Sequence, residues 1–235
     1  MGDPRAIFGG LVITNFEIQE EEAEILMTYG VKKGHRILDG IIAPAYSEAA
    51  FGILKKRVKC RLVVNTALAT DYITKIDDQT RFRYGRGTIL VQSNYNFVLD
   101  FNELTLHNRT LSDGDKSNLL LAWAIGCTSN SNTVTLVKNN YLIGNGTGQQ
   151  DRVGCCELAV KRARDAKHDI NDAVAYSDSF FPFEDGPEVL MVAGINVILS
   201  SSGSIRDKKI ISFCKNSGVN LCMIPDHISR GFFGH

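Results

Sequence analysis

Net charge is the first thing this sequence lacks. Its 235 residues carry 26 Lys and Arg against 26 Asp and Glu. That balance offers no electrostatic case for a nucleic-acid or membrane-surface partner. Long apolar runs are missing too. None approaches the roughly 20 residues needed to cross a bilayer. The start, Met-Gly-Asp-Pro-Arg, lacks the charged-then-apolar pattern of a signal peptide. Six cysteines are present, Cys60, Cys127, Cys155, Cys156, Cys214 and Cys222, but no C-x-x-C pair. At this length they are too sparse for a secreted disulfide framework. They are expected to be buried, reduced thiols of a cytoplasmic protein. The five histidines, His35, His107, His168, His227 and His235, show no metal spacing. The zinc-deaminase signature and the serine nucleophile elbow are both absent.

What is present is an alternation of strand-like and helix-like patterns. Leu11 to Thr14, Asp39 to Pro44 and Arg61 to Asn65 read as strands. Between them, Gln19 to Tyr29 and a Ser47-capped stretch to about Arg57 read as helices. This βαβαβ rhythm predicts a mainly parallel sheet with helices on its faces. Residues from Asn65 to about Arg86 read as irregular, Gly87 to Gln92 as a strand, and Asn94 to Asn108 as an exposed strand plus loop. Ser112-Asp113-Gly114-Asp115 opens a strong helix. Thr133–Val137 and Tyr141–Ile143 flank Lys138-Asn139-Asn140, a hairpin signal. A glycine loop, Gly144 to Gly148, precedes a helix from about Gln150 to Ala166. Strands at Ala173–Tyr176, Asn196–Ser200 and Asn220–Ile224 then alternate with helices at Pro187–Ala193 and Arg206–Asn216. The expected fold class is α/β, in two αβα lobes with mixed, mainly parallel sheets. Residues 1–110 form the N-terminal lobe and 111–235 the C-terminal one.

Three strand-to-helix junctions in the second half could carry chemistry. Gly144-Asn145-Gly146-Thr147-Gly148-Gln149-Gln150-Asp151-Arg152 would let a ligand come close to backbone. It is neither a Walker loop nor the dinucleotide fingerprint, and a plain tight turn accounts for it as well. Tyr176-Ser177-Asp178-Ser179-Phe180-Phe181-Pro182-Phe183-Glu184-Asp185-Gly186-Pro187 places rings and acids where a strand hands over to a helix. Such rings suit a flat, donor-rich heterocycle. Ser200-Ser201-Ser202-Gly203-Ser204-Ile205-Arg206-Asp207 can cap a helix or hold an anion. Asn132, at the mouth of a strand, offers a donor and an acceptor to a ligand amide, or satisfies a turn. In open α/β sheets, ligands collect outside the carboxyl ends of strands. The tail Ser229-Arg230-Gly231-Phe232-Phe233-Gly234-His235 carries two rings, which argue for docking. Its Arg230 could clamp a phosphate.

These segments together resemble the transformylase part of the AICAR formyltransferase/IMP cyclohydrolase family. The match runs in order through Gly2-Asp3-Pro4-Arg5-Ala6-Ile7-Phe8-Gly9-Gly10, Asp39-Gly40-Ile41-Ile42-Ala43-Pro44 and Ser131-Asn132-Thr133-Val134. It continues through Ile143 to Val153, Ser177 to Asp185, Ser202-Gly203-Ser204 and the terminal histidine. The resemblance implies cytidine-deaminase-like lobes, a homodimer with shared sites, and formyl transfer from 10-formyltetrahydrofolate to AICAR ribonucleotide. It implies AICAR contacts at Gly9, Asp39, Asn132, Phe180, Arg230 and His235. On the folate side it implies Arg152, Val153, Pro182, Phe183, Asp185, Ser204 and Ile205. A monovalent cation is a further implied component.

The departures from the family pattern lie at the front. There, an Arg-Tyr-Gly substrate motif and a catalytic Lys-His pair precede Gly-Asp-Pro. Here Gly-Asp-Pro follows Met1. Arg83-Tyr84-Gly85 has the letters but stands downstream, and Lys167-His168 lacks the context of the catalytic pair. No residue of this chain takes a catalytic role by the resemblance. The chain is expected to be N-terminally truncated, so a non-catalytic nucleotide- or folate-binding module is the alternative reading.

Overall fold

The computed structural model describes residues 9–31, 33–69 and 79–229. The chain divides into two compact units, Asp3–Ile76 and Asp77–His235. The sequence placed a boundary near 110 instead. The structure assigns the 80–110 stretch to the second unit, because part of it pairs with that unit's sheet.

The first unit follows the βαβαβ rhythm. β1 (Leu11–Ile13), β2 (Gly40–Ala43) and β3 (Arg61–Val64) form a parallel sheet in that order. α1 (Glu20–Thr28) and α2 (Glu48–Leu54) are the crossovers. Gln19 and Glu22 form a capping box on α1, and the Ser47 hydroxyl accepts from the Ala50 N–H at 3.1 Å. The core joins both helices to the middle strand through Ala23, Met27, Ile41, Ala50 and Leu54.

The second unit opens with an antiparallel ribbon, β4 (Thr80–Gly85) and β5 (Thr88–Ser93). The sequence reading of Asn65–Arg86 as irregular missed β4, whose arginines and glycine hide its alternation. Asn94–Asn108 proves mostly non-strand. It holds a 3-10 turn at Phe101–Glu103 and the two-residue β6 (Thr105–Leu106). α3 (Asp113–Gly126) starts on a capping box between Ser112 and Asp115. β7 (Thr133–Lys138) and β8 (Tyr141–Thr147) form the expected hairpin. Asn139 and Asn140 both take positive φ, 51° and 58°, as a two-residue hairpin turn requires. Then follow α4 (Arg152–Asp165), β9 (Val174–Ser177), α5 (Asp185–Val192), β10 (Val197–Ser202), α6 (Asp207–Asn216), β11 (Asn220–Pro225) and the short α7 (Asp226–Ser229).

The six strands order as β6-β11-β10-β9-β7-β8. β9, β10 and β11 are parallel, whereas β7 runs antiparallel to β8 and β9, and β6 antiparallel to β11. Alternate residues of the strands face opposite layers. Val134, Leu136, Ala175, Ile198 and Leu221 meet the layer of α4, α5 and α6. Val137, Val174, Val197, Leu199 and Cys222 meet Leu119 and Ala122 of α3. This is a three-layer αβα unit with a mixed sheet.

The glycine run is strand rather than loop. Gly144 and Gly146 lie within β8, on the face covered by α4. A Cβ at Gly144 would stand 2.2 Å from the Ala159 carbonyl oxygen, and one at Gly146 would stand 2.0 Å from that of Cys155. These glycines let a helix backbone lie on a strand backbone. Their spacing of two reflects the strand repeat, not a ligand cradle.

Candidate functional site

Two groups of expected residues lie at the carboxyl edge of the second unit's sheet. β7 is antiparallel to β9, so its first residues stand beside β9's last. The Asp178 N–H donates to the Thr133 carbonyl at 3.2 Å. α4 begins next to both. Its first residue, Arg152, is 7% exposed. Its Nη1 donates to the Thr133 carbonyl at 3.1 Å and forms a very short ion pair with Asp178. Its Nη2 donates to Asn132 Oδ1 at 2.8 Å. One guanidinium thus ties together the starts of β7 and α4 and the end of β9.

Asn132 is held from several directions. Its Nδ2 donates to the Gln149 carbonyl at 3.0 Å, and its own carbonyl accepts from Cys155 Sγ at 2.9 Å. The peptide Ser131–Asn132 is cis. Since Arg152 occupies Oδ1, the amide orientation is fixed. An amide group has two N–H donors and two acceptor lone pairs, so one of each remains for another partner. Burial raises the pKa of the Cys155 thiol, with Arg152 opposing, so this thiol stays protonated. Val153 follows on the first turn of α4, half-buried.

Asp178 lies in the aromatic–acid segment and has no role in the family resemblance. Its Oδ1 meets Arg152, while its Oδ2 is buried with no hydrogen-bond partner. Asp178 also lines a narrow crevice of about 10 Å³ at the ends of β9, β10 and β11, walled by Trp123, Tyr176, Ser200, Ser201 and Ile224. Burial raises the Tyr176 pKa far above its ordinary value, and nearby Asp178 adds to the effect. The phenol is therefore neutral at any ordinary pH. An acid closing a buried strand was the signal available in the sequence.

The second group joins the β9–α5 and β10–α6 junctions. Phe183 is 48% exposed, and the Arg206 guanidinium lies over its ring at 4.4 Å. Arg206 was not among the expected site residues. Asp185 accepts from the Gly186 N–H at 2.7 Å in the first turn of α5. Phe180 and Pro182 are half-buried, whereas Phe181 between them is core, at 1% exposure. Beside Arg206, Ile205 is fully exposed, and the Ser204 hydroxyl accepts from the Arg206 N–H at 3.2 Å. Both N–H groups that an anion could use here, those of Gly203 and Ser204, already donate to Asp207 at 2.7 and 3.2 Å. That junction is a self-satisfied cap.

In the first unit, Gly9 and Asp39 come together across 30 residues of chain. The Asp39 Oδ2 accepts from the Gly10 N–H at 2.8 Å. Gly9 has a φ of 75°, and a Cβ there would stand 3.0 Å from the same oxygen. Glycine is required on both counts. Arg230 and His235 lie outside the described residues, as does the expected docking of the tail. Lys167-His168 sits in the turn leading to the amino end of β9, opposite the edge that bears Asn132 and Asp178.

Comparison with known proteins places the chain in a family. The family described as "AICARFT/IMPCHase bienzyme" matches residues 1–162. "Bifunctional purine biosynthesis protein PurH" of Anoxybacillus flavithermus is 34% identical over 221 residues, 93% of this chain and 40% of the relative. The protein of the same name from Fusobacterium nucleatum is 31% identical over 219 residues, again 93% of this chain and 40% of the relative. That from Mycobacterium marinum is 32% identical over 225 residues, with 93% and 39% coverage. The chain thus spans about 40% of the length of the curated relatives it matches. Among solved structures, Acinetobacter baumannii RibD aligns with 52% of this chain and 40% of its own at 18% identity and a TM-score of 0.35. A superposition that loose carries no argument. The family match over residues 1–162 and relatives up to 34% identical over 93% of the chain lead to one conclusion: this chain belongs to the AICARFT/IMPCHase bienzyme family.

Proposed function

We propose that the chain supplies substrate-binding residues for formyl transfer in purine biosynthesis. The formyl group of 10-formyltetrahydrofolate would pass to the 5-amino group of AICAR ribonucleotide. The amine nitrogen attacks the formyl carbon, loses a proton and forms the new C–N bond. The bond from that carbon to folate N10 breaks, and tetrahydrofolate leaves with a proton. The amine is a weak nucleophile because its lone pair spreads into the imidazole ring. Holding the two substrates in register is therefore a large share of the catalysis.

The observation that carries this reading is the Asn132 amide, locked by Arg152 at the sheet edge with one donor and one acceptor to spare. An amide so held suits a ligand carboxamide. Phe180 would pack on the imidazole, and Arg230 and His235 would hold the phosphate end. Within the first unit, Asp39 and Gly9 are by themselves suited to ribose hydroxyls. Val153, Pro182, Phe183, Asp185, Ser204 and Ile205 would line the folate side. Given its burial, Arg152 acts as a positioning residue for Asn132 rather than a direct folate contact. Asp178 Oδ2, buried and without a hydrogen-bond partner, is an oxygen on this edge that would offer a monovalent cation a ligand beside the Arg152 pair. An apolar face of the β4–β5 ribbon, Phe82, Tyr84, Ile89 and Val91, is exposed. Two-stranded ribbons are marginal alone, which supports a second copy of the chain as partner. Six buried free thiols support a reducing, cytoplasmic setting.

A second reading is binding without turnover. It is favoured by the position of Lys167-His168 at the wrong end of β9. Titration calorimetry with AICAR ribonucleotide and with 10-formyltetrahydrofolate tests the first reading. Binding is expected, with at least about tenfold weakening of AICAR ribonucleotide in Asn132→Ala. Absence of binding by either compound refutes both readings. Binding with no formylated product on mixing selects the second.

A further inference from the structure

The first unit carries a half-open cleft of about 380 Å³. Its floor is apolar, Met27 and Ile53. Its rim is His35, Lys56, Arg57 and Lys59, and no Asp or Glu lines it. None of these residues belongs to the carboxyl-edge site. Among the described residues, no ion pair engages Lys56, Arg57 or Lys59. The Arg57 Nε is buried with no hydrogen-bond partner. A buried donor without an acceptor is uncommon and asks for an explanation.

Cations commonly follow a helix because its last carbonyls are negative. That accounts for one of them here. Lys55 caps α2 and lies over the Phe51 ring at 5.6 Å. It does not account for three more in the next four residues, turned onto the same cleft beside an imidazole. It also does not account for a guanidinium N–H withheld from water.

We propose that this cleft binds a compact polyanion with two or more phosphoryl or carboxylate groups. The two ammonium groups supply charge at the rim. The Arg57 guanidinium supplies directed N–H donors from its terminal nitrogens. The Met27–Ile53 floor takes the apolar part of the ligand. A cleft with an apolar floor and a few converging polar groups is the usual form of a small-molecule site.

The test is titration calorimetry of the full chain with tripolyphosphate and, separately, citrate, at about 50 mM and about 200 mM salt. Saturable binding of one or both is expected, weaker at the higher salt. Comparing the two anions assigns the phosphoryl or the carboxylate class. The Lys56→Ala/Lys59→Ala double variant is expected to lose at least about tenfold in affinity. Both lysines are exposed, so its thermal melting should match the parent. Arg57→Gln should weaken binding similarly, and if it unfolds the double variant still decides. No saturable binding of either anion overturns the proposal. So does binding that the double variant leaves undiminished, which would place the anion elsewhere. AICAR ribonucleotide binding weakened by Asn132→Ala is read separately, so failure at one site is distinguishable from failure at the other.

Discussion

Gly146→Ala is the sharpest perturbation the fold offers. The added methyl would stand 2.0 Å from the Cys155 carbonyl oxygen, 2.9 Å from its carbon and 3.0 Å from the Ala159 nitrogen. All three are helix backbone, so no side chain can swing aside. To reach ordinary contact at 3.4 Å, α4 and β8 must part by about 1.4 Å at this point. Gaps of 0.5–1 Å already forfeit roughly a quarter to a half of the dispersion well of each contact. Overpacking of this kind costs about 1–3 kcal/mol, and backbone-to-backbone clashes fall at the upper end. Alanine's lower unfolded-state entropy returns about 0.5 kcal/mol. The net expectation is about 2–3 kcal/mol of destabilisation. For a unit of this size that corresponds to roughly 4–12 °C in Tm. Urea titration and thermal melting followed by circular dichroism measure it. Gly114→Ala is the control. Its Cβ would meet only Ser112 Oγ, at 3.8 Å, inside α3, so it should be neutral or slightly stabilising. A Gly146→Ala protein melting within about 2 °C of the parent would refute the backbone-contact account.

Four further outcomes follow from the same structure. Arg152→Met should destabilise by about 3–5 kcal/mol because it strands a buried Asp178, and adding Asp178→Leu should recover part of that in a double-mutant cycle. Ser112→Ala, measured by denaturant midpoint, should cost about 1 kcal/mol through the lost α3 cap. The buried thiols should resist a disulfide reagent at pH 8 in the native state and all react in urea, since burial pushes Cys127 up to about 11 and Cys214 and Cys222 up to about 12. Burial, and secondarily Lys215, holds the His107 pKa below its ordinary value. The unfolded chain then binds the extra proton, so this contribution is complete above about pH 6.5 and shrinks as pH falls through that value; an NMR titration of His107 checks the direction.

Much of the architecture was legible because its signals are local. Ser47 and Ser112 announced their helices, Asn139-Asn140 announced the hairpin, and Leu11, Ile41 and Leu62 sit on strands of one parallel sheet. What the sequence hid depends on partners far along the chain. Gly144 and Gly146 have no side chains to show a strand's alternation, and their partner helix is recognisable only once packed. β6 is two residues long and exists because β11 pairs with it across more than 100 positions. Arg152 opens a helix, where charge ordinarily faces water. Its burial follows from Asp178, 26 residues on, which topology alone brings beside it. Of the site residues, Asn132 and the aromatic segment could be picked out by type and junction. Arg206 over Phe183 could not, because nothing local links two loops from different crossovers.

The backbone seat of α4 on β8 also bears on how a ligand would be received. A helix packed through side chains can rock by small rotamer changes. One resting on glycine backbone has no such freedom, so the height of Arg152 above the sheet is set before any ligand arrives. The amide it orients is then ordered in the free protein, and binding need not supply that ordering. The thermodynamic signature would be a small conformational-entropy penalty on association, and crystals with and without ligand should show the same Asn132 rotamer.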